Sequence, residues 1–313
     1  MLKTKYTIEE QINNFKTKNI KFDIMDEKYA AQYLSYNTYF FKLKSFEYNE
    51  TKKQYINLDF AYLVELSKID MYLREYIIKL SLDTEHFLKV KFMYDLTNND
   101  LEDGYNIVNI FLNKYPYISQ NIENKKRDSA CADLIHKYND HWAAWNIIEV
   151  LSFGDFVKLF QLYYNLYPDK KSNVIVNLLW PLKFIRNASA HNNCLLNTLR
   201  KPYMHTHLFN DKRNTIEPNK ELVSLLIKVP DISKNTRKKK LVNPIIHDFV
   251  ASLFLFNEIC SSQILKEKQF LNLKKLMDER FCMHKDYFIN DNVFISNYEF
   301  IKKIVDYLYG QCI

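Results

Sequence analysis

Arg186 and His191 have four residues between them in the run Arg186-Asn187-Ala188-Ser189-Ala190-His191. An imidazole, with a reference pKa of about 6.5, exchanges protons near neutrality. An arginine is a permanent, fork-shaped cation suited to holding a phosphate and the charge that develops on it. The two together could carry out metal-free RNA cleavage, in which the RNA's own 2′-hydroxyl is the nucleophile. The products would carry a 2′,3′-cyclic phosphate, and DNA, which lacks that hydroxyl, would not be cut. Spacing alone does not single out this pair, because Arg200 and His205 have the same separation. Context does. The second pair spans Pro202, has no Asn after its Arg and falls in a connector-like stretch, whereas Arg186 to His191 closes an apolar helical run. On a helix Asn187 lies one turn before His191, so its amide can orient the imidazole.

The run that must carry the pair is helical: Ile175, Leu178, Leu179, Leu182 and Ile185 share a face, Ser172 is placed to cap it, and Pro181 should kink or interrupt it. Before it, Trp142 to Tyr167 reads as two helices meeting at Ser152-Phe153-Gly154-Asp155, with Asp155 able to start the second. Earlier still, Thr7 and Glu10 form a capping-box pattern ahead of a first helix, and a second covers Asp26 to Leu34. Leu66, Ile69, Leu73, Ile77 and Leu80 mark a long amphipathic helix, and Asp83-Thr84-Glu85 reads as the acidic start of another, ended by the polar stretch Thr97 to Gly104. Residues 105–140 read as short helices. After residue 200, helices are expected near 219–229, 244–268 and 295–309, and no strand pattern is visible.

Composition agrees with an all-α protein. In 313 residues there are only three glycines and seven prolines, so tight turns are few. Five widely spaced cysteines suit a reducing cytosol rather than a disulfide framework, and the apolar stretch Phe249 to Phe256 is too short to cross a bilayer. A net charge of +7 attracts phosphates only mildly. Basic residues that could touch RNA are Lys42 and Lys44, interleaved with aromatics in 37–46; Lys125, Lys126 and Arg127; and Arg237, Lys238, Lys239 and Lys240. The first group reads first as core aromatics with snorkelling lysines, and the last as a solvated loop. Cys131, His136 and His141 lack a fourth ligand in any compact metal motif, so neither metal nor cofactor is implied.

Several blocks, in order, resemble the Abi-like (AbiD/AbiF) abortive-infection family. They are Tyr6 to Ile12, Asn37 to Lys42, Asp70-Met71-Tyr72-Leu73-Arg74, and Trp145 to Gly154, which is close to the family's Trp-x-x-x-Glu-x-x-Ser-Phe-Gly. Arg186 to His191, followed by Asn197, resembles the family's Arg-Asn-x-Cys-Ala-His-His-x-Arg-Leu-x-Asn. Ser189, Asn192 and Cys194 depart from it, standing where the family has Cys, a second His and a second Arg. The resemblance implies a HEPN-type helical bundle with N- and C-terminal helical extensions, divided as 1–57, a core at 58–200, and 201–313. It implies a cytoplasmic endoribonuclease of phage defence, through abortive infection or toxin–antitoxin control. Arg186, Asn187 and His191 would be catalytic, with Glu149, Asn192 and Asn197 in support, and Glu149 either a partner of Arg186 or a polar contributor. The implied partners are RNA, an RNA or protein antitoxin, and a second copy of the chain. Loss of the second His and Arg leaves open a non-catalytic RNA-binding protein or an interaction module paired with an antitoxin.

Overall fold

The computed structural model describes residues 5–37, 46–127, 129–138, 141–200 and 218–312. Lys42, Lys44, His205 and His207 lie outside the described residues. α1 (Ile8–Thr17) opens on the expected capping box, with Glu10 N–H donating to Thr7 Oγ1 and Thr7 N–H to the Glu10 carboxylate at 2.7 Å. β1 (Ile20–Lys21) and α2 (Glu27–Tyr36, capped by Asp26) follow. β2 (Tyr48–Asn49) and β3 (Gln54–Tyr55) pair antiparallel, and β4 (Leu58–Asp59) pairs parallel with β1. Two-residue pairings leave no alternation in a sequence, which is why none was visible. They matter as ties: Asp59 caps the next helix through one carboxylate oxygen and accepts the Asp23 and Ile24 N–H groups with the other.

That next helix, α3 (Phe60–Thr97), is a single 38-residue element rather than two. Asp83-Thr84-Glu85 does not break it, because each polar side chain is satisfied in place. The Thr84 hydroxyl donates to the Leu80 carbonyl, Asp83 takes Lys79 and Gln269, and Glu85 pairs with Lys89. Gly104, at φ +84°, turns the chain beyond it, and an added Cβ would stand 2.5 Å from the Trp145 ring. α4 (Asn106–Lys114), α5 (Tyr117–Glu123) and α6 (Ala132–Tyr138) are the short helices expected. α7 (Ala144–Val150) and α8 (Phe153–Leu166) meet where the glycine predicted, although Ser152, not Asp155, is the cap.

α9 (Lys170–Ala190) carries the candidate run and continues through Pro181 without interruption. Proline removes the N–H that the Asn177 carbonyl would accept. The side-chain amide of Asn219 supplies a donor to that carbonyl at 2.8 Å. The start also differs from expectation: Asp169 accepts from the Ser172 N–H and hydroxyl, so Ser172 is capped rather than capping. The remainder is α10 (Lys220–Ile227), α11 (Lys234–Leu241), α12 (Pro244–Ile259), α13 (Gln263–Lys275) and α14 (Asn292–Gly310). The basic run 237–240 is thus helical, and 244–268 is two helices separated at Cys260 to Ser262.

These fourteen α-helices among the described residues form an all-α bundle. α12, apolar on nearly every side, packs against α9 and α3 in one continuous core, and Phe249 to Phe256 are all buried. Ser252 escapes the cost of burial by donating to the Asp248 carbonyl at 2.7 Å. Among the described residues no helix is long and apolar enough to cross a membrane.

Candidate functional site

The carboxyl end of α9 closes in a Schellman arrangement. Asn193 N–H donates to the Ala188 carbonyl at 2.9 Å and Asn192 N–H to the Ser189 carbonyl at 3.1 Å, with Asn192 at φ 55°. Asparagine tolerates that left-handed position better than most residues. His191, just before it, is exposed, and its backbone N–H donates to the Asn187 carbonyl at 3.0 Å. Ser189 is buried and donates its hydroxyl to the Ile185 carbonyl at 2.8 Å, so it serves the helix.

Arg186 lies half-buried one turn earlier. Its guanidinium carbon sits 5.9 Å from the centre of the Phe153 ring, and Nη1 donates to Asn187 Oδ1 at 3.0 Å. The Asn187 amide oxygen is therefore engaged by the arginine rather than by the imidazole. No carboxylate forms an ion pair with Arg186 among the described residues. Glu149 is exposed near the end of α7 and makes no ion pair with Arg186 among the described residues; its backbone carbonyl receives the Cys131 thiol. Asn197, in a 3₁₀ turn at Leu196–Thr198, keeps a buried Oδ1 without a hydrogen-bond partner.

Two residues that sequence reasoning did not place at the site meet it from α3. Asp70 is fully buried; Oδ2 accepts from Arg74 Nε at 2.9 Å and Oδ1 from the Leu196 N–H at 3.0 Å. Arg74 then reaches across to donate from Nη1 to Asn192 Oδ1. The turn after His191 is thus clamped on both sides to α3, and a second guanidinium stands at the helix end. The signal was present in Asp70-Met71-Tyr72-Leu73-Arg74, whose i,i+4 acid and base lie on one helix face, but nothing local says where that face points.

The Ser152-Phe153-Gly154 stretch also gains a physical meaning. Phe153 lies under Arg186, and Gly154 is where Lys183 of α9 crosses: a Cβ there would meet Lys183 Cε at 2.8 Å. Lys183 Nζ comes to 4.3 Å from the centre of the Trp180 ring. Burial, and after it the Lys158 ammonium, push Lys183 below its ordinary value. Asp155 is occupied by Lys158 at 2.9 Å and by the Ser152 hydroxyl at 2.7 Å.

The other basic candidates are more committed. Lys125 donates to the Val150 carbonyl at 2.6 Å and Lys126 pairs with Glu123 at 2.6 Å, while Arg127 is exposed. Arg237 donates to the Ile232 carbonyl at 2.6 Å. Lys240 donates to Ser296 and Asn297, both at 2.7 Å, and burial lowers its pKa to about 8. Lys238 and Lys239 are exposed. Arg200 is ion-paired with Asp291.

A family model described as Abi-like protein matches residues 29–197, more than half of the chain and including both the 145–154 block and the Arg186 to His191 run. No curated protein and no solved structure matches.

Proposed function

We propose that this chain, which belongs to the Abi-like protein family, is a metal-independent endoribonuclease of HEPN type acting in phage defence. His191 is the proton-transfer group and Arg186 the phosphate holder. Family membership supports abortive infection as the setting, and the growth-restraining chemistry that fits the helix end is RNA cleavage by 2′-hydroxyl attack. One observation carries the reading: an arginine without a carboxylate partner, seated on Phe153, stands one turn from a solvent-facing histidine at a rigidly capped helix end. His191 would take the 2′-hydroxyl proton, and Arg186 would hold the phosphate as charge gathers on its oxygens. Arg74, paired with Asp70, reaches Asn192 beside the same turn and holds it in place.

One chain offers one imidazole here, whereas cleavage needs a proton removed from the 2′-oxygen and another delivered to the 5′-oxygen. Two copies related by a two-fold axis at the carboxyl ends of their α9 helices would supply both. The assay is end-labelled RNA incubated with purified protein in EDTA. Wild type is expected to release fragments ending in cyclic phosphate, and His191→Ala to lose cleavage and growth inhibition while melting as wild type does. Cleavage unchanged in His191→Ala would refute the assignment. RNA that binds wild type but stays intact would instead support the non-catalytic RNA-binding alternative. Mixed wild-type and His191→Ala chains should show activity well below their wild-type share, and a cleaving monomer would exclude the shared site.

A further inference from the structure

Upstream of Arg186, the solvent side of α9 presents a second kind of chemistry. Phe184 is 49 % exposed, and its ring centre lies 5.9 Å from that of Trp180, with the planes tilted by 35°. Trp180 is held in place, because its indole N–H donates to Gln161 Oε1 on α8 at 3.0 Å. Lys183 lies against the Trp180 ring and over Gly154, without a carboxylate ion pair among the described residues. The Phe184 ring is open to solvent beside this lysine–indole pair. A lysine placed only for solubility would extend into water rather than lie against an indole beside another ammonium. Fixed aromatic rings alternating with a cation are the arrangement that holds single-stranded nucleic acid, the rings taking bases and the cation a phosphate. The face is continuous with the helix end: Phe184 precedes His191 by seven residues, about 10 Å along the axis.

We propose that Trp180, Lys183 and Phe184 form a subsite for single-stranded RNA, in which an unpaired base stacks on Phe184 beside Trp180 and Lys183 holds the adjoining phosphate. The proposal rests on reading the end of α9 as an RNA site. It names the substrate class because bases in a duplex already cover one another and offer no free face to an exposed ring. Stacking of this kind is tolerant of sequence, since every base has a π face.

Binding is measured by fluorescence anisotropy in a His191→Ala background, so that no RNA is cut, using a labelled single strand and the same strand annealed to its complement. Phe184→Ala should weaken single-strand binding by roughly tenfold and duplex binding far less. Phe184→Tyr, which keeps a ring, should restore single-strand affinity. Lys183→Gln should weaken binding and flatten the salt dependence by about the contribution of one phosphate contact. Equal losses for single strand and duplex, no loss, or failure of the Phe184→Tyr rescue would overturn the proposal. So would conversion of a dimer to a monomer by Phe184→Ala, which would make the face a contact between copies. The ribonuclease reading fails separately: a wild-type protein that needs Phe184 to bind RNA yet never cuts it loses the catalytic assignment and keeps the subsite.

Discussion

Gly154→Ala separates a glycine needed by the backbone from one that makes room for a neighbour's side chain. Gly154 does not adopt positive φ, so alanine brings no conformational strain. In the first turn of α8 alanine should favour the helix by about 0.5–1 kcal/mol. The new Cβ stands 2.8 Å from Lys183 Cε and 3.3 Å from Nζ, so the lysine must leave its seat against Trp180. Loss of that cation–π contact costs about 0.5–1 kcal/mol. The two effects nearly cancel, and stability by urea unfolding should change by no more than about 0.5 kcal/mol. Binding of single-stranded RNA should nevertheless fall by about three- to tenfold, equivalent to about 0.7–1.4 kcal/mol. The reasoning is tested by repeating the substitution in a Lys183→Ala background. There Gly154→Ala should show its full stabilisation and leave RNA affinity unaltered. The same loss of affinity in both backgrounds would refute it, as would destabilisation beyond about 2 kcal/mol in both, which would place the clash in the backbone.

At the turn after His191, Asn192→Ala should cost about 2 kcal/mol, combining the left-handed backbone with the lost acceptor for Arg74, whereas Asn192→Gly should cost only about half as much. Equal costs in urea melts would show that φ at this position is unimportant. Arg200→Ala and His205→Ala should leave RNA cleavage intact, since Arg200 is used by Asp291; loss of cleavage in EDTA would move the active site to that pair. Lys240, whose pKa burial lowers to about 8, binds its proton less readily when folded than when unfolded. Stability relative to Lys240→Met should therefore rise with pH from about 8 toward 10.5, the range in which only the unfolded chain keeps the proton. A flat difference across that range would show that Lys240 stays charged in place.

The sequence was most informative where the determinants are local. The Thr7 and Glu10 capping box, the break at Gly154, the buried run Phe249 to Phe256 and the all-α class follow from short-range patterns of hydrogen bonding and apolar spacing. The Arg186 to His191 run was legible for the same reason, since one helix end carries it, and the Abi-like family was legible from blocks inside the matched residues 29–197. Readings failed where a distant group meets a local need. Asp83 and Thr84 look like a helix start until Gln269 and the Leu80 carbonyl are seen to satisfy them. Pro181 looks like a break until Asn219 supplies the missing donor.

The same distinction holds at the site. Residue types fixed what Arg186 and His191 can do chemically, because charge and proton affinity belong to the side chains themselves. Only the tertiary structure decided their surroundings: Phe153 beneath Arg186, Arg74 and Asp70 clamping the turn after His191, and Lys183 lying over Gly154. These contacts join residues far apart in the chain, and an i,i+4 pattern states which residues share a face but not what that face will meet.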